Sequence, residues 1–177
     1  MQRVLVIGSS GAGKSTFARH LGEATGLPVI HLDSVYWKAG WVESDKEEWR
    51  DKVAEIVTGD RWVIDGNYSG TLEMRLAACD TVIFLDLSRF VCMWRIFKRG
   101  LTYRGRTRPD MAAGCDEKMP DLEFIKWTWR YPTRSRPKVL RRLAEVEERV
   151  WVVRITSQNQ AQAFLRSLRG TAVPKTR

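Results

Sequence analysis

Gly8-Ser9-Ser10-Gly11-Ala12-Gly13-Lys14-Ser15 is the stretch on which the reading of this chain turns. It satisfies G-x-x-x-x-G-K-[ST] in full. Glycines let a backbone wrap closely round an anion, so that successive N–H groups point at phosphate oxygens. A helix that follows presents its positive end to the same charge. In such a loop Lys14 reaches the β- and γ-phosphates of ATP and the Ser15 hydroxyl ligates Mg²⁺. Gly8, Ser9, Ser10, Gly11, Ala12, Gly13, Lys14, Ser15 and Thr16 are therefore the expected nucleotide-binding residues. From average composition a chance match in a chain of this length is on the order of one in a hundred. The flanks lower it further, because an apolar run precedes the match and a helical period follows it.

Outward from the loop, short apolar runs alternate with helical stretches. Val4 to Ile7 reads as a buried strand, and 14–25 as a helix with Phe17 and Leu21 inward. Pro28 to His31, Arg61 to Asp65, Thr81 to Leu87 and Val150 to Ile155 read as four further strands. Ser44-Asp45-Lys46-Glu47 has the form of a capping box opening a helix with Trp49, Val53, Ile56 and Val57 on one face. Ser88 can cap a helix with Phe90, Trp94, Phe97 and Leu101 on an inward stripe. Residues 105–119 lack a period and read as a loop. Helices over 121–131 and 137–149 follow, with Trp127, Trp129 and Tyr131 more often core than site, and Ser157 to Arg169 closes the pattern. Strands alternating with helices imply a parallel sheet covered on both faces, whose ligands sit at the carboxyl ends of the strands.

Acids fall at those ends. Asp33, closing the second strand, can accept a proton from an attacking hydroxyl or hold a water on Mg²⁺; it can also be a turn cap. Asp65, closing the third, stands where an indirect Mg²⁺ ligand is expected, with a structural role as the alternative. Asp86 reads as a structural cap. Tyr36, Trp37 and Trp41 either pack down or line an acceptor pocket.

The formal charge is +9, and the segment from Arg95 to Arg142 carries all of the excess, 14 Lys+Arg against 5 Asp+Glu. The remainder holds 16 of each. Arg95 and Arg99 share a helix face, and Arg104, Arg106 and Arg108 alternate in the loop; such an array can clamp phosphates and stabilise charge during transfer. The three cysteines, Cys79, Cys92 and Cys115, have no C-x-x-C spacing, which argues against a disulfide framework and a zinc site. No apolar run approaches the roughly 20 residues that span a bilayer, and the N-terminus lacks the form of a signal peptide. A cytoplasmic protein without a membrane partner is expected, one domain over 1–170 with a flexible tail at 171–177.

These residues resemble the nucleoside monophosphate kinase group of P-loop proteins, which includes adenylate, shikimate and gluconate kinases. More narrowly, the chain resembles the adenylate-kinase-like proteins labelled DNA topology modulation proteins. The narrow likeness rests on the P-loop, on 31–37 (His-Leu-Asp-Ser-Val-Tyr-Trp) with Gly40-Trp41, on Ile64-Asp65-Gly66-Asn67-Tyr68, and on Arg108-Pro109-Asp110-Met111 with Gly114-Cys115. It implies a three-layer α/β fold, a five-stranded parallel sheet in the order 2-3-1-4-5, and a basic lid over about 99–136. It also implies that Arg95 and Arg99 contact the phosphates of ATP. Where adenylate kinases continue Phe-Pro-Arg after Asp-Gly, this chain has Asn67-Tyr68-Ser69, which places Asn67 at the acceptor position without the arginine.

The expectation is an ATP-Mg²⁺-dependent kinase acting on a small-molecule or nucleotide acceptor, as a monomer or weak homodimer. Lys14, Asp33, Arg95 and Arg99 would be catalytic, Ser15 and Asp65 would hold the metal, and Asp33, Tyr36, Trp37, Trp41, Asp65, Asn67, Arg104, Arg106 and Arg108 would bind the acceptor. The competing reading is a regulatory ATPase associated with nucleic acid, whose basic segment would bind a phosphate backbone. Against it, no recognition-helix motif is present.

Overall fold

Strand β1, Arg3–Gly8, shows how the core divides. Successive side chains of a strand point to opposite faces, so an unbroken apolar run is buried on both. Leu5 and Ile7 join one core cluster and Val4 and Val6 the other. The same split runs through β5, Trp62–Asp65, and β6, Thr81–Leu85. In this computed structural model, which describes residues 1–170, β2 (Val29–His31) and β7 (Trp151–Ile155) complete the sheet. All its pairings are parallel, in the order β2-β5-β1-β6-β7. Counting only these five strands along the chain gives 2-3-1-4-5, the expected order. The expected tail, 171–177, lies outside the described residues.

On one face lie α3 (Lys46–Val57), α4 (Leu72–Ala78) and α8 (Arg136–Ala144), burying Trp49, Val53, Leu76, Val139 and Leu143 against Leu5, Ile64 and Phe84. On the other, α1 (Lys14–Thr25) and α9 (Gln158–Gly170) bring Phe17, Leu21 and Ala161 to Val6, Ile83 and Ile155. Among the described residues no helix is long and apolar enough to cross a membrane.

Several local details differ from expectation. Asp45, not Ser44, caps α3, accepting from the Glu47 and Glu48 amides, while the Ser44 hydroxyl donates to the Tyr36 carbonyl. After β2 the chain makes a short helix, α2 (Leu32–Tyr36), and a two-stranded hairpin of β3 (Trp37–Lys38) and β4 (Val42–Glu43) that the sequence did not announce. Helix α4 was also missed. Asp86 caps no helix: Arg136 and Arg154 both donate to its carboxylate, and Ser88 caps α5 (Arg89–Thr102) by accepting from the Phe90 amide.

The largest departure is the facing of α5. Its buried face is Cys92, Met93, Ile96 and Gly100, and the expected inward stripe of Phe90, Trp94, Phe97 and Leu101 is exposed. The helix carries two apolar stripes, and the close approach of Gly11 to the Cys92 carbonyl leaves room only for the one with smaller side chains. Helices α6 (Leu122–Trp129) and α7 (Tyr131–Arg134) follow; Tyr131 is buried as expected, whereas Trp127 and Trp129 are exposed.

Candidate active site

The loop between β1 and α1 is shaped by glycines that no other residue could replace cheaply. Gly11 has φ +73, and a Cβ there would lie 2.2 Å from the Cys92 carbonyl oxygen. Gly13 has φ +90 and stands at the N-cap of α1, where no side chain accepts from the first-turn amides and no acid sits in the first turn. Those amides and the positive end of the helix are left to an outside anion. Lys14 Nζ donates to the Ser9 carbonyl at 3.1 Å, its one hydrogen bond to protein although an ammonium has three donors. Burial lowers its pKa, while Asp33 and Asp65 pull the other way. A half-buried cation with spare donors beside open amides fits a polyphosphate.

The cavity over this loop has a volume of about 600 Å³. Ser10 to Thr16 form its floor, with Gly8 and Ser9 beneath, and Arg95, Arg99, Tyr103, Arg108, Pro109 and Asp110 form one wall. His31 and Asp33 stand in another, and Gln158, Gln162 and Leu165 of α9 close a third. Arg95 Nη1 donates to the Ala12 carbonyl at 2.9 Å and Nη2 to Gln158 Oε1 at 2.6 Å, so it is already folded over the loop. Arg99 Nε and Arg108 Nε donate to the two oxygens of Glu117, at 2.8 and 2.7 Å, and Arg108 Nη1 also reaches Asp110 at 2.8 Å. Burial, with Arg108 alongside, holds Arg99 below its ordinary pKa.

At the strand ends, His31 Nδ1 lies 2.5 Å from Asp65 Oδ1, and this bond raises the imidazole pKa. Asp65 is almost fully buried behind His31 and forms no part of the cavity wall. Asp33 does, and accepts from the Tyr68 hydroxyl at 2.7 Å. Among the described residues no group of three or more His, Cys, Asp or Glu could hold a metal ion unaided. The Ser15 hydroxyl and the Asp33 carboxylate, both lining the cavity, would suit Mg²⁺ brought in with bound phosphates.

The remaining expected site residues lie elsewhere. Tyr36 packs against Trp37, Trp49 and Tyr68, with ring centroids 4.7–5.1 Å apart, and Trp37 against Trp41 at 5.5 Å. None of these three lines the cavity; the group reaches it only through Tyr68 and Asp33. Asn67 Oδ1 accepts from the Gly8 amide at 3.1 Å, bracing the start of the loop. Arg104 and Arg106 are exposed and away from the cavity. Sequence reasoning overlooked His31, Tyr103, Asp110, Glu117 and Gln158. His31 was findable: in the expected strand order its strand adjoins the one ending at Asp65, and His31 and Asp65 are register partners.

The 105–119 loop docks on the hairpin. Gly40 N donates to the Gly114 carbonyl at 2.9 Å, Trp41 Nε1 to that of Asp116 at 2.8 Å, and Cys115 Sγ to that of Lys38 at 3.2 Å.

This architecture is shared by two proteins of known structure. A shikimate kinase from Acinetobacter baumannii, solved in complex with shikimate, superposes with a TM-score of 0.57 at 19% identity, covering 95% of this chain and 90% of that one. A gluconokinase from Sinorhizobium meliloti 1021 superposes with a TM-score of 0.52 at 17% identity, covering 96% and 94%. No curated protein sequence matches the chain. A family model described as "AAA domain" matches residues 4–110, more than half of the chain and the whole span from β1 through the phosphate loop to Asp110. The chain belongs to that family of P-loop proteins.

Proposed function

We infer that the chain is an ATP-dependent kinase that moves the γ-phosphoryl group to a hydroxyl of a small molecule. One observation carries this reading: a phosphate-holding floor and the wall arginines Arg95, Arg99 and Arg108 share a single cavity with the His31 imidazole and the Asp33 carboxylate. A site that only bound ATP would have no need of the second set.

In this reading the loop amides, Lys14 and Arg95 bind the polyphosphate, and Arg99 and Arg108 neutralise charge spread over the transferred group. Ser15 would hold Mg²⁺, which would supply charge neutralisation to the phosphates. Asp33, held by the Tyr68 hydroxyl, accepts the proton of the attacking hydroxyl. Asp65 orients His31, so that Nε2 is free to hydrogen-bond the acceptor. The docked loop excludes water, which suppresses hydrolysis.

The acceptor end favours hydroxyls over a phosphate. His31, Asp33 and Asp110 are hydrogen-bonding or acidic, and Arg75 is fully buried on backbone carbonyls. A hydroxylated metabolite is therefore preferred to a nucleoside monophosphate. Membership of the adenylate-kinase-like group labelled DNA topology modulation proteins is part of this reading, supported by the sequence motifs.

The test is ADP formation from Mg-ATP with separate pools of hydroxylated metabolites, nucleosides and nucleoside monophosphates, with Lys14→Ala and Asp33→Asn as controls. Stimulation by the first pool, lost in both variants, is expected. ADP formation indifferent to every pool but raised by duplex DNA would overturn the kinase in favour of a nucleic-acid-dependent ATPase.

A further inference from the structure

We propose that the outer face of α5 and α6 is a docking surface for an anionic lipid bilayer. On α5, Phe90, Trp94, Phe97 and Leu101 form one stripe, and Phe90, Trp94 and Leu101 are 66–68% exposed. The stripe continues onto α6, because the Phe90 and Trp129 rings meet edge to face at 5.5 Å. Leu122, seven residues before Trp129 and so on the same face of α6, extends it, and Met119, whose sulfur would lie 3.2 Å from a Cβ at Gly100, closes the lower end. Monomeric proteins rarely expose so many large apolar side chains together, and such patches mark binding surfaces.

Charge selects the occupant. Arg89 lies over the Trp129 ring at 5.0 Å, so a cation is interleaved with the exposed aromatics of the stripe. Lys98 on α5, Lys126 on α6, Arg130 at the C-cap of α6 and Lys118 in the preceding loop are exposed. The acids there are Asp121, which caps α6 by accepting from the Phe124 amide, and Glu123 in its first turn. A second copy of the chain would set like charge against like charge across a twofold interface. Duplex DNA would satisfy the cations and leave Phe90, Trp94 and Leu101 without apolar partners. An anionic bilayer answers both: its surface attracts the cations, and its interface accepts tryptophan, phenylalanine and leucine. None of these side chains lines the nucleotide cavity, so the inference stands apart from the kinase reading.

The experiment is co-sedimentation of the full chain with vesicles of phosphatidylcholine alone and of phosphatidylcholine mixed with phosphatidylglycerol. The chain is expected to partition onto the mixed vesicles only, less so at high salt. The triple variant F90S/W94S/L101S and the double variant K126E/R130E are each expected to bind more than about tenfold more weakly, with unchanged circular dichroism and ADP formation. Equal binding by the triple variant and the parent would overturn the proposal. So would failure to bind mixed vesicles, or a dimer in sedimentation velocity that F90S/W94S/L101S dissociates.

Discussion

Glu117 Oε1 accepts the Arg99 Nε hydrogen at 2.8 Å, on a carboxylate that is almost fully buried. Its other oxygen takes Arg108. One acid thereby lets two cations stand together at the cavity wall. Glu117→Gln keeps the shape and removes the charge, leaving two guanidinium groups to repel. A stability loss of about 2–4 kcal/mol is expected in urea unfolding, with a raised KM for ATP. An unchanged midpoint and KM would show that the arginines need no such counter-ion.

Gly11→Ala places a methyl against the Cys92 carbonyl at a positive φ, whereas Gly26→Ala meets only open space at a similar φ of +67. The second substitution is expected to cost about 1 kcal/mol, from backbone strain alone. The first should cost more and abolish nucleotide binding, because the loop or α5 must move. Calorimetric titration with ATP separates the two.

His31 titrates above the ordinary 6.5, chiefly through its bond to Asp65. A folded pKa above the unfolded one gives stability that is fully present below pH 6.5 and lost as pH rises through the folded value. The native imidazole resonances are expected to titrate above 6.5 and to fall towards it in Asp65→Asn. That variant should also lose the decline in stability on the alkaline side. A parent chain titrating at or below 6.5 would remove the dyad from the argument.

Arg75 is fully buried in α4 and donates to the carbonyls of Gly66, Asn67 and Tyr68 at 2.8–3.1 Å. Burial lowers its pKa to about 10. It fastens the turn that supplies Tyr68 to Asp33. Arg75→Met should destabilise the fold by about 3 kcal/mol by orphaning those carbonyls. Arg75→Lys should restore little, since an ammonium cannot span three acceptors in a fork. Thermal melts of both variants decide it.

The sheet was legible because its three central strands, β1, β5 and β6, are buried on both faces, so each shows as an apolar run ended or followed by Gly or Asp. The phosphate loop was legible because its chemistry is local: eight consecutive residues make it. Asp33 was placed at the cavity by the same logic. Glu117 and Gln158 were not legible, because each meets its arginine across 18 or 63 residues of chain with no period to mark the pairing. Tyr36, Trp37 and Trp41 could pack or line a pocket on sequence grounds; the missed hairpin and Trp49 turned them to packing. On α5 the period was read correctly and the face wrongly, since hydrophobicity ranks the larger stripe first and close packing admits the smaller.

The bonds from Gly40, Trp41 and Cys115 join two stretches more than seventy residues apart along the chain. The loop carrying Arg108 and the hairpin that follows Asp33 are thus one mechanical piece, anchored at the two ends of the reaction path. On the kinase reading proposed above, lifting one drags the other, and both products leave through a single opening event. On that reading the tempo of turnover is set by the lifting of this joined piece rather than by the grip on either product.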